Sequence, residues 1–134
     1  MSNGAAGGVR TLLRLEGLAL FLGAADLFAH QGASWKLFAV LFLAPDLSML
    51  AYVFGSRAGA LSYNAAHSTL GPIALAAASF FVPQPLPLPI ALIWAAHIGI
   101  DRALGYGLKY ASAFGDTHLG RIGRAAREAR NGAA

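Results

Sequence analysis

His67, His97 and Asp101 are the residues of this chain whose types and spacing best support chemistry, with Asp46 and Glu16 as further carboxylates. His97 and Asp101 stand at i, i+4 and Asn64 and His67 at i, i+3, spacings that put each pair on one face of a helix. Two imidazoles and a carboxylate suit zinc, iron or manganese, and a divalent ion with an open coordination position brings bound water toward a neutral pKa. In that reading His67, His97 and Asp101 hold the metal. Asp46 or Glu16 is a fourth ligand or general base, Asn64 supports from behind, and Arg102 offers a cation beside the carboxylates. The reaction class is metal-assisted hydrolysis. Neither an H-x-x-x-H nor an H-E-x-x-H pair occurs, so the ligands must come from separate elements.

The elements that must bring them together are apolar. Of the 134 residues, 57% are hydrophobic and 12% charged, about half the charge of an ordinary globular domain. With no cysteine, disulfides and thiolate sites are excluded. Four stretches, about 11–30, 36–54, 58–82 and 86–110, are long enough to cross a hydrocarbon core as helices. Gly32, Gly55 and the prolines of VPQPLPLP punctuate them. The fold class expected is all-α: a transmembrane four-helix bundle over 11–110, a cytoplasmic lead over 1–10, and a basic tail over 111–134. MSNGAAGGVR lacks the pattern of a removable signal peptide, so the first span is expected to remain.

Arg10, Arg14, Arg57, Lys109, Arg121, Arg124, Arg127 and Arg130 fall on the side that holds both termini, against Lys36 alone on the other. That asymmetry predicts a multi-pass membrane protein with both termini cytoplasmic. The tail is expected to form an amphipathic helix from an N-cap at Asp116 or Thr117 to a stop at Gly132. Leu119, Ile122, Ala126 and Ala129 would share one face, and the arginines would meet anionic lipid headgroups. Charge confined to membrane boundaries, without interleaved aromatics, argues against a nucleic-acid partner.

Four of the six acidic residues, Glu16, Asp26, Asp46 and Asp101, lie inside the expected spans, where each ionised group is costly. Counted from the cytoplasmic ends, Glu16 lies about 7 Å deep, Asn64 about 9 Å, Asp46 and Asp101 about 12 Å, His67 about 14 Å and His97 about 18 Å. All four spans therefore contribute a polar group to the cytoplasmic half. Pro45 should kink the second span beside Asp46. Asp26 and His30 fall outside this level as a solvated pair, and His118 is expected at the surface. On the fourth span, Gly99, Ala103 and Gly107 form a small-residue face for a close helix crossing, within the bundle or in a homodimer.

PDLSMLAY, YNAAH and HIGIDRALGYGLKYASAFGDTHLG resemble the hallmark blocks of a family of small bacterial membrane proteins known as a domain of unknown function. The resemblance spans roughly residues 11 to 123. It implies a bacterial four-span protein in which Asp46, Asn64, His67, His97, Asp101 and Arg102 belong together, and it brings no activity. Two other readings compete with the metal site. The cluster can be a structural salt-bridge network centred on Arg102, or His67 and His97 can be the axial ligands of a haem in an electron carrier.

Overall fold

A computed structural model describes residues 4–132, and the fold is predominantly helical. Helix α1 runs Gly7–His30 and α2 Trp35–Leu41, followed by a 3-10 segment over Ala44–Phe54. Then come α3 (Ser56–His67), α4 (Leu70–Ser79) and α5 (Pro87–Leu104). A two-residue hairpin, β1 (Asp116–Thr117) with β2 (Gly120–Arg121), precedes α6 (Gly123–Asn131).

The packing is inside out. On α1 the buried residues are Gly17, Ala24 and Phe28, one stripe at i, i+7 and i+11, whereas Leu12, Leu15, Leu22 and Leu27 are exposed. Water-soluble helices bury their large apolar side chains and expose polar ones. Here small residues face inward, which lets α1 and α5 touch through their backbones. A Cβ on Gly99 would lie 2.5 Å from the Phe21 nitrogen, and one on Gly17 would lie 2.8 Å from the Gly99 carbonyl oxygen. The small-residue face of α5 thus meets α1 of the same chain at Gly99, while Gly107 lies beyond the helix, against His118.

Only one continuous stretch among the described residues, Trp35–Phe54, is both long and apolar enough to cross a membrane, with a mean hydropathy of 2.0 and none of it buried. Of the other expected spans, the first lies within the continuous α1, which carries Arg10, Arg14, Glu16 and Asp26, while the third and fourth are interrupted or shorter, for local reasons. Residues 58–82 do not form one helix. Ser68 is extended (φ −78°, ψ 141°) between α3 and α4, because the Pro72 ring would collide with the carbonyl four residues back in a continuous helix. Pro45 similarly falls at the start of the 3-10 segment, where α2 has already ended.

The fourth span stops at Leu104 rather than 110. Gly105 adopts a left-handed conformation (φ 96°) and ends α5 as a glycine cap. The chain then turns back. Leu108 and His118 bond through their backbones, Lys109 bridges Thr117, and the Tyr110 amide donates to Asp116. The tail helix expected from Asp116 therefore begins only at Gly123, since 116–121 pair as the hairpin. Leu119 is buried in the core rather than on an amphipathic face, and Ile122 is the residue before the helix. The expected stop at Gly132 agrees with the structure, where it follows Asn131.

Candidate metal centre

Both breaks in the helices carry a functional side chain. Asp46 follows Pro45 on the 3-10 segment, and His67 is the last residue of α3 before the extended Ser68. His97 and Asp101 come from successive turns of the continuous α5. Backbone groups freed at the α3 break find side-chain partners, as buried polar groups must. The Trp94 indole nitrogen donates to the Ala66 carbonyl, with the Trp94 ring resting on Gly71, and the Ser68 hydroxyl accepts from the Leu70 amide.

Four ligand groups converge. His67 Nε2 lies 3.3 Å from Asp46 Oδ1 and 3.4 Å from Asp101 Oδ2, and His97 Nε2 lies 3.3 Å and 3.2 Å from the same two oxygens. The two Nε2 atoms are 3.1 Å apart, and donor atoms from all four residues lie within 4.8 Å of one another. Metal–ligand bonds of about 2.0–2.1 Å in a tetrahedron place neighbouring donors about 3.3 Å apart. The imidazoles are almost completely buried, while the side chains of Asp46 and Asp101 remain 32% and 18% exposed, so the carboxylates mark the open side.

The hydrogen bonds behind the site favour a bare Nε2 on His67. Its Nδ1 is 2.9 Å from the Tyr63 carbonyl oxygen, which can only accept, so Nδ1 carries a proton and Nε2 is the atom that would present a lone pair to a metal. The Tyr63 ring stacks on the imidazole at 3.7 Å and 8°, holding its plane. The buried Nδ1 of His97 has no hydrogen-bond partner, and Phe42 meets that ring edge-on. Two imidazolium rings would point Nε2 protons at each other across 3.1 Å. A divalent cation instead balances two carboxylates with both imidazoles neutral, leaving no net charge to bury.

Glu16 and Arg102, expected near these residues, are elsewhere. They share with Leu13, Gly17, Leu20 and His118 a separate cavity of about 140 Å³, and no ion pair joins Arg102 to Asp46 or Asp101. Arg14, one of the basic residues on the side of both termini, donates to the Ala103 carbonyl at the end of α5. Asn64 does not touch the imidazoles. Its amide clamps the backbone of Lys109, accepting from the N–H and donating to the C=O at 2.7 Å each. His118 is not a free surface residue, because its Nδ1 accepts from the Leu108 amide and its ring covers Gly107. Asp26 and His30 form the exposed pair expected of them.

Lys109, expected only as one of the basic residues on the side of both termini, is instead buried. It is 4% exposed, donates to the Phe114 carbonyl at 3.0 Å, and sits over the Phe114 and Tyr63 rings at 3.7 and 4.7 Å. Burial pushes its amine down to about 8, while the Asp101 carboxylate works against that shift. The signal that could have revealed it was Gly105, which ends the helix and turns Lys109 inward.

A helical protein in which two breaks in apolar segments and one continuous helix bring together a two-histidine, two-aspartate cluster is the class that fold and site define. The chain matches the family described as Domain of unknown function (DUF4260) over residues 10–122, and belongs to it. No curated protein and no solved structure matches.

Proposed function

We propose that this chain is an integral membrane protein that binds one divalent metal through His67, His97, Asp101 and Asp46. In this reading it uses the ion to hydrolyse an ester, amide or phosphate bond of a membrane substrate. The observation that carries the reading is the set of five separations of 3.1–3.4 Å that join the two imidazoles to each other and to both carboxylates, each close to the edge length of a tetrahedral site, with all four donor atoms within 4.8 Å of one another. Bilayer embedding is supported by large apolar side chains left exposed on every long element, including Leu15, Leu50, Leu61 and Phe80. Irregular backbone within a membrane is tolerated where it is buried in protein or lines a cavity, which suits breaks at Asp46 and His67. The lysine and arginine asymmetry favours four passes with both termini cytoplasmic. The arginines of α6 would then meet anionic headgroups.

A bound divalent ion supplies a Lewis acid and a water acidified toward neutrality. His67, fixed by the Tyr63 carbonyl and ring, and His97 orient it from the buried side. Asp101 completes a three-residue set. Asp46, the most exposed of the four, would act as general base toward water at the site. The haem alternative finds no support, because a macrocycle between the two imidazoles would need the space that the Asp46 and Asp101 oxygens fill. A salt-bridge network centred on Arg102 lacks its cation at the cluster.

Two substitutions test the proposal. Asp101→Asn keeps shape and removes charge, so the variant should fold, lose its metal, and lose chelator-sensitive hydrolysis of a short p-nitrophenyl ester. Arg102→Met should keep both. Loss of metal in Arg102→Met as complete as in Asp101→Asn would return the cluster to a structural ion network.

A further inference from the structure

An apolar groove of about 240 Å³ lies between the 3-10 segment, the end of α3 and the first half of α5, lined among others by Ala44, Pro45, Ala66, Ile90, Ile93 and Trp94. Its walls are tied to the metal cluster through the chain. Pro45 precedes Asp46, Ala66 precedes His67, and Ile93 and Trp94 stand one turn before His97. Every segment that supplies a ligand therefore also supplies a wall.

No ionisable side chain lines the groove. The one polar atom of the Trp94 ring is consumed by the Ala66 carbonyl. Leu41, Ala44 and Pro45 belong to Trp35–Phe54, an apolar stretch whose residues are all exposed or half-buried, so one wall is continuous with the surface that would face lipid. The volume falls below the roughly 300–1,000 Å³ of sites that enclose a whole small molecule. It suits part of a linear chain.

We infer that this groove holds the hydrocarbon chain of the substrate and so directs the substrate's polar group to the Asp46–His67–His97–Asp101 cluster. The substrate class is then an acyl or alkyl lipid rather than a compact polar molecule. The inference rests on the proposed metal site, and the test separates the two.

Acetohydroxamate and octanohydroxamate carry the same metal-chelating head and differ in chain. Their binding to the metal-loaded full chain in one nanodisc composition, corrected for partition into lipid, isolates the groove. Octanohydroxamate should bind at least about fivefold tighter, since each buried methylene is worth roughly fourfold from water and less from lipid. Ala44→Phe and Ala66→Phe add bulk at an exposed and a half-buried wall position. Both should erase the gain while leaving acetohydroxamate binding unchanged.

Equal affinity for the two probes in the parent, or a chain-length gain that survives both substitutions, overturns the inference and leaves the metal site standing. Dissociation of a dimer by Ala44→Phe also overturns it, by assigning the groove to a second copy. If the protein retains no metal, the proposed function fails first and the groove assignment falls with it.

Discussion

At the scale of single residues, His67 shows how one side chain is prepared for a role. Its Nδ1 is committed to the Tyr63 carbonyl, its face to the Tyr63 ring, and its Nε2 to the cluster. The convergence of Asp46, His67, His97 and Asp101 was legible because the i, i+4 spacing of His97 and Asp101 and the depth of all four along the expected spans bring them to one level. Glu16 was misplaced by the same reasoning. Depth is one coordinate, and it says nothing of the angle about the helix axis, which turns Glu16 toward Arg102 and His118. Lys109 yields a pH prediction. Its folded pKa of about 8 lies below the roughly 10.4 of an unfolded lysine, so between those values the unfolded chain binds the extra proton. Its contribution to stability should therefore rise as pH increases from about 8 to about 10. Thermal unfolding across that range should show the rise in the parent and lose it in Lys109→Met. An identical profile in the variant would mean that the amine is not responsible.

Among the elements, α1 and α5 form a pair whose closeness is set by glycine. A Cβ at Gly99 would meet the Phe21 nitrogen at 2.5 Å and the Gly17 oxygen at 2.7 Å, both backbone atoms that cannot swing away. Gly99→Ala should therefore lower stability by about 1–3 kcal/mol, the usual cost of overpacking. Gly23→Ala on α1, where nothing lies within 4 Å, should be neutral or stabilising by up to about 1 kcal/mol. Thermal melts of both variants in one detergent check the contrast, and equal melting points would contradict the crossing. Hydropathy located the apolar segments, and glycine spacing located this face. The breaks were harder to read. Pro72 lies in a run whose average hydropathy conceals its backbone effect, and only the clash with the residue 68 carbonyl explains why α3 ends at His67. The hairpin at 116–121 was hidden because its partners, residues 108–110, had been assigned to a helix.

Considered as a whole, the molecule buries the two histidines together with a small apolar core that includes Phe28, Ile93 and Ile98, and leaves many large apolar side chains outside, an arrangement suited to lipid. Continuous α1 and α5 form the frame, while the interrupted segments bring Asp46 and His67 to it. The C-terminal hairpin closes one end, held by Asn64 on the Lys109 backbone and by the Ala5 amide donating to the His118 carbonyl. Two carboxylates facing two imidazoles in such an interior make a cradle that a divalent cation would neutralise. Elemental analysis of the purified full chain, incubated in turn with zinc, iron(II) and manganese and then desalted, tests most directly whether one binds. The account predicts close to one divalent ion per chain, released by a chelator with a fall in melting temperature. A folded chain that retains less than about a tenth of an equivalent of each ion, and whose melting temperature ignores them all, would contradict it.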